Sequence, residues 1–194
     1  MGDEKRRRDD PGDLGRYREY LRFLAEVQLR GPLRAKLDPS DLVQQTMLQA
    51  HAAADQCQAE NSAAKAGWLR QILNRNLLHA ARDLHRDKRD IRKERSLEAA
   101  IHESSCRIDA FLAGNDSSPS VRADRNEQVA RLALALQELP DAQREAIIRH
   151  YFHGQSLAEV GEKIGRSGPA VAGLVHRGLK ALRGVLRDEE QSEV

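Results

Sequence analysis

The stretch SLAEVGEKIGRSGPAVAGLVHRGLKALRGVLR, residues 156–187, decides how this chain is read. Ser156 followed three residues later by Glu159 forms a capping box, in which each side chain satisfies a free backbone donor, so a helix begins at Ser156. Val160, Gly161 and Ile164 lie on its inner face, and Gly165 supplies the positive φ needed to leave the helix in a tight turn. Ser167 then caps a second helix that tolerates Pro169 in its first turn. Val171, Leu174, Val175, Leu179, Leu182, Val185 and Leu186 keep an apolar stripe along that helix.

Two helices joined by so short a turn form a helix-turn-helix, whose second helix commonly enters the DNA major groove. From Arg166 to Arg187 there are five Lys or Arg and no Asp or Glu, which suits a phosphate-facing surface. The same pattern also serves an ordinary αα-hairpin with a solvated basic face.

The composition points to an all-α protein, and a flexible linker divides it into two small helical domains, the C-terminal one a helix-turn-helix. Aromatics are only 4% and charged residues 32% of the chain, a balance that favours amphipathic helices over a β-sandwich. The net charge of +2 conceals segregation. Four acids (Asp38, Asp41, Asp55 and Glu60) and no bases fall between Leu37 and Asn61, whereas Lys65 to Arg95 is strongly basic and Asp188 to Val194 acidic. Cys57 and Cys106 lack metal-ligand spacing, no apolar run reaches membrane-spanning length, and the charged N-terminus is not a secretory signal. A reduced, cytoplasmic protein with no metal or other cofactor and no membrane partner is expected.

The residues through about Asp13 are expected to be disordered. Tyr17, Tyr20, Leu21, Leu24 and Val27 then mark a helix ending near Gly31-Pro32. Asp38-Pro39-Ser40 opens another, with Leu42, Val43, Met47 and Ala50 inward and Asp41, Gln44, Gln45 and Gln49 outward. A polar loop is expected from Gln56 to Lys65. From Ala66, one face carries Trp68, Leu69, Ile72, Leu73, Asn76 and Leu77, and the opposite face carries Arg75, His79, Arg82, Arg86, Arg89 and Lys93. That basic stripe either tracks phosphates or is a solvated face partly neutralised by Asp83, Asp87 and Asp90.

A short helix is expected over Ser96 to His102, followed by a linker rich in Ser, Gly, Asn and Pro. The boundaries are an N-terminal domain at 14–103, the linker at 104–124 and a C-terminal domain at 125–188. Within the last, Val129, Leu132, Ala133, Leu136 and Leu139 form a helix ending at Pro140, and Ala142, Ile147, Ile148 and Tyr151 form the next, stopped at Gly154.

In this order the parts resemble a bacterial RNA polymerase sigma factor of the sigma-70 superfamily, extracytoplasmic-function (ECF) group, from Tyr17 to Leu186. Asp38-Pro-Ser-Asp41-Leu-Val-Gln44-Gln-Thr46-Met looks like the family's core-polymerase-binding helix, and Trp68-Leu-Arg-Gln-Ile72-Leu like its promoter-melting helix. Leu136-Gln-Glu-Leu139-Pro140-Asp-Ala-Gln-Arg144-Glu-Ala-Ile147, with the helix-turn-helix after it, looks like its upstream-element domain.

The resemblance implies that Asp38, Asp41, Leu42, Gln44 and Gln45 dock on core RNA polymerase. It also implies that the loop before Trp68 holds a base flipped from the minus-ten element. Trp68, Arg75, Asn76, His79, Arg82, Arg86 and Arg89 would contact that element, and Ser167, Ala170, Gly173, His176, Arg177 and Lys180 the minus-thirty-five element. Partners would be core RNA polymerase and promoter DNA, with room for an anti-sigma factor. The chain departs from the family pattern at Met47, where Phe is frequent, and at Arg75, where Asn is usual. In the reading helix, Ala170, Ala172 and Gly173 stand where longer side chains are common, leaving Ser167, His176 and Arg177, with Arg177 either on guanine or on phosphate.

A two-domain helix-turn-helix regulator that does not bind core polymerase is the competing reading, disfavoured because the N-terminal half shows no evident ligand pocket. An enzyme is not expected. His150 and His153 lack the further ligands of a zinc site, and there is no phosphate loop or nucleophile elbow.

Overall fold

The computed structural model describes residues 14–59, 61–84, 91–113 and 125–192, none of which lies in a strand. The chain divides into two compact units, Met1–Ser105 with Ser118–Ala130 and Cys106–Ser117 with Arg131–Val194. The charged N-terminal residues and Gly114 to Asp124 of the expected linker lie outside the described residues.

In the first unit, a 3-10 turn Gly15–Tyr17 leads into α1, Arg18–Gln28. Tyr17, Tyr20, Leu21, Leu24 and Val27 recur at helical spacing and are all buried. The Tyr20 hydroxyl donates to the Ala66 carbonyl at 3.3 Å, and burial pushes its pKa up to about 12. A short α2, Gly31–Arg34, precedes α3, Pro39–Ala52. Asp38 caps α3 by accepting the Ser40 N–H at 2.7 Å, and Pro39 sits at its first position, where no N–H is needed.

Helix α4, Ser62–Leu84, packs on α1 and α3 and buries Leu69, Ile72, Leu73 and Leu77. It starts inside the stretch expected as loop. Asn61 Oδ1 accepts the Ala64 N–H at 2.8 Å, and Ala63 and Ala66 are buried, so a cap and two small apolar residues extend the helix backward.

Helix α5, Ile91–Ala113, corrects the expected boundary more strongly, because it runs through the first ten residues assigned to the linker. Ile101, Ile108 and Leu112 are buried at helical spacing. Ser104 and Ser105 donate their hydroxyls to the Ala100 and Ile101 carbonyls at 2.8 and 3.0 Å, which places two linker-like residues within a helix.

Helix α6, Arg125–Gln137, and α7, Asp141–Ile147, flank Pro140 as expected. Beyond α7 the chain forms a π-helical turn, Ile148–Phe152, in which the His153 N–H reaches back to the Ile148 carbonyl at 3.0 Å. The wider turn rotates the register. Phe152 is fully buried and packs on Phe111 at 5.0 Å, whereas Tyr151, expected inward, is 37% exposed. Gly154, at φ 69°, then lets the chain enter the helix-turn-helix.

Candidate nucleic-acid interface

Helix α8, Leu157–Ile164, begins with the reciprocal cap that Ser156 and Glu159 predict. Glu159 Oε2 accepts the Ser156 N–H at 2.7 Å while Ser156 Oγ accepts the Glu159 N–H at 3.3 Å. The Ser156 hydrogen bonds hold the Glu159 carboxyl below the usual carboxylate range. Gly165 ends the helix at φ 68°, and the Arg166 N–H donates to the Gly161 carbonyl at 2.9 Å. A Cβ on Gly161 would collide with the Arg166 carbonyl oxygen, so glycine there lets the turn fold against α8.

Helix α9, Gly168–Ser192, then lies with Val171, Leu174 and Val175 in a core shared with Ala146 and Val160. Gly178 is a contributor that the sequence reading missed. It is buried, and a Cβ there would approach Ile147 Cδ1 to 2.6 Å, so its lack of a side chain lets α9 sit close over α7. Its position within the apolar stripe was the available signal.

The opposite side of α9 is free. Ser167, Ala170, His176, Arg177 and Lys180 are exposed and Gly173 is half-buried, so the six residues named for this helix share one accessible surface. Ser167 Oγ also accepts the Ala170 N–H at 3.4 Å, the expected cap.

In the first unit, Asp38, Asp41, Gln44 and Gln45 are exposed on α3 with Gln49. Asp38 has a structural role as well, since the Ser40 N–H holds its carboxyl below the usual range. Leu48, 65% exposed among these polar residues, was missed, although an apolar residue off the buried stripe signals it. Leu42 is a correction. It is only 4% exposed, packed within the unit, and its side chain is not available to a partner.

On α4, Arg75, His79 and Arg82 are exposed and Trp68 is half-buried. Asn76 is a second correction. It is 3% exposed and donates through Nδ2 to Thr46 Oγ1 at 3.1 Å, so its amide holds the helices together and does not face DNA. Arg86 and Arg89 lie outside the described residues.

The family described as Sigma-70 region 2 matches residues 16–87, and that described as Sigma-70, region 4 matches residues 130–182. The chain is 31% identical over 176 residues to the ECF RNA polymerase sigma factor SigF of Caulobacter vibrioides, an alignment covering 88% of this chain and 86% of that protein. The chain belongs to the ECF group of sigma-70 factors. No solved structure matches it.

As a sigma factor it binds core RNA polymerase and directs promoter recognition and transcription initiation. Region 2 of the sigma factor takes in α1 to α4, and region 4 takes in most of α6, then α7, α8 and the first part of α9. The competing regulator without a polymerase contact accounts for the helix-turn-helix but not for region 2. Among the described residues no helix is long and apolar enough to cross a membrane, and no cluster of His, Cys, Asp and Glu could hold a metal ion.

Proposed function

We propose that the sigma factor divides its work among three exposed helix faces. The observation that carries this reading is the separation of their chemistry. The face of α3 offers Asp41, Gln44 and Gln45 and no Lys or Arg, that of α4 offers Arg75 and Arg82 with His79, and that of α9 offers Arg177 and Lys180 beside small residues. An acidic-polar face suits docking on the polymerase, where a basic face would instead be drawn to DNA.

On α4 the cations neutralise phosphates beside the minus-ten element, and Arg86 and Arg89 continue the stripe in sequence. The loop that would receive a flipped base lies ahead of Ser62, where α4 begins, and Trp68, further along α4, would supply the aromatic wall that a base leaving the stack needs. Asn76 has no part in this. On α9, Ser167, His176, Arg177 and Lys180 face the minus-thirty-five element, with the small Ala170 allowing the helix backbone close to the groove.

The domain limits attached to these roles are those of the family matches, region 2 over residues 16–87 and region 4 over residues 130–182, with α5 running on past the expected limit at residue 103. The protein acts in the cytoplasm alongside polymerase, has no catalytic activity of its own, and has an anti-sigma factor as a third partner, this last on family membership alone. Run-off transcription with purified core polymerase tests the reading. The sigma factor should confer initiation at a defined start site, and variants on the three faces should separate into loss of polymerase binding, loss on all promoters, and loss of upstream-element preference.

A further inference from the structure

We infer that Gly173 positions Arg177 to read a guanine in the upstream promoter element, which rests on the proposal that α9 enters the DNA groove. Helical side chains lean toward the helix N-terminus, so a long residue covers the turn before its own Cα. Gly173 stands four residues before Arg177, on the same face. A Cβ built on Gly173 would lie 3.2 Å from Arg177 Nη1 and 3.9 Å from Cζ and Nη2. The guanidinium therefore rests against the bare backbone of residue 173, in a place that a side chain there would crowd.

This seat answers the main objection to Arg177 as a base reader, that its Cα lies too far along α9. The guanidinium is carried back by about one helical turn, roughly 5.4 Å, toward the residues that meet the groove floor in a helix-turn-helix. Ala170 and Ala172 contribute no hydrogen-bonding side chain nearby, and Ser167 Oγ is engaged by the Ala170 N–H. No Asp or Glu occurs between Arg166 and Arg187 to draw the guanidinium aside.

Direction is what separates the two roles open to Arg177. A phosphate anchor needs charge and tolerates many geometries, so lysine serves nearly as well. A guanine reader needs a planar pair of N–H donors aimed at O6 and N7, and only the arginine in its seat supplies them. Gly173 is then a positioning residue that makes no base contact itself. Its exchange to alanine does not endanger the fold, because alanine is the better helix former and the atoms it would meet are the end of a flexible side chain.

The test uses the full-length sigma factor with purified core polymerase on promoters varied one base at a time in the upstream element. The proteins compared are wild type, Arg177→Ala, Arg177→Lys, Gly173→Ala and Lys180→Ala. Wild type should prefer guanine at one position by roughly tenfold. Arg177→Ala and Arg177→Lys should both lose that preference, Gly173→Ala should weaken it several-fold without lowering the melting temperature, and Lys180→Ala should lose activity evenly on all sequences. Uniform loss in Arg177→Ala with recovery in Arg177→Lys would make Arg177 a phosphate anchor, and full preference in Gly173→Ala would remove the seat; either overturns the inference while leaving α9 in the groove. If neither Arg177→Ala nor Lys180→Ala alters any promoter, the placement of α9 fails and the inference with it.

Discussion

Asn76 Nδ2 donates to Thr46 Oγ1 at 3.1 Å, and that hydroxyl donates in turn to the Leu42 carbonyl at 2.7 Å, forming a buried polar chain from α4 to α3. The proposed polymerase-facing and minus-ten-facing helices are thereby fixed to each other through side chains that neither partner touches. Asn76→Ala removes the donor and leaves Thr46 with an unmet acceptor in the core. It should cost about 1–3 kcal/mol of stability, read as a lower denaturation midpoint. Promoter preference per folded molecule should stay unchanged, and a selective loss at the minus-ten element would return Asn76 to DNA contact.

Asp41→Arg combined with Gln44→Glu should weaken binding to core polymerase with the far-ultraviolet circular dichroism unchanged, since both positions are exposed on α3. Leu42→Ala should act differently. With its side chain in the core, it should lower stability by about 2–5 kcal/mol. Undiminished co-purification of the double variant with polymerase would remove α3 from the interface.

Arg75 and Arg82 are assigned to phosphates, so each should contribute to the salt dependence of promoter binding by the polymerase-bound protein. Replacing both with alanine should reduce the slope of log affinity against log salt by roughly 1.8, with similar losses on every promoter. A slope equal to that of wild type would make them solvated surface charges.

The capping carboxylates give the fold a signed response to acid. Hydrogen bonds from Ser156 and Ser40 lower the pKa values of Glu159 and Asp38 in the folded state. Their stabilising effect is therefore complete above the ordinary carboxylate range and is lost as pH falls through the depressed folded values. The melting temperature of Glu159→Ala should lie below that of wild type at neutral pH, and the gap should close as pH drops from about 5 toward 3. A gap independent of pH would show that Glu159 acts through something other than its ionised carboxylate.

Capping chemistry made much of this fold legible from residue types alone. Ser156 with Glu159, Gly165 and Asp38 each solve a local backbone problem with few solutions, and the structure puts helix ends where they stand. The length of α5 was hidden because Ser104, Ser105 and Gly114 have linker composition, and the apolar Ile108, Phe111 and Leu112 between them read together with the Ser-, Gly- and Pro-rich stretch that follows. The exchange of Tyr151 for Phe152 at the core was hidden for another reason. A π-helical turn inserts one residue into the hydrophobic period, and a pattern of threes and fours cannot register it. At the candidate sites, Leu42 and Asn76 lie within motifs whose resemblance does not distinguish a residue that meets a partner from one that holds the helix in place.

The two sides of α9 obey different constraints, and this bears on how the protein can change over generations. Val171, Leu174, Val175 and Gly178 face a packed interior where added or lost volume is costly, whereas Ala170, His176 and Lys180 touch little of the protein itself. Substitutions on the free side are nearly neutral for folding, and those that replace Ala170 with a longer polar residue would add a contact without first removing one. A lineage could in this way accumulate new promoter preferences through single steps that each leave a stable protein, with no intermediate that fails to fold.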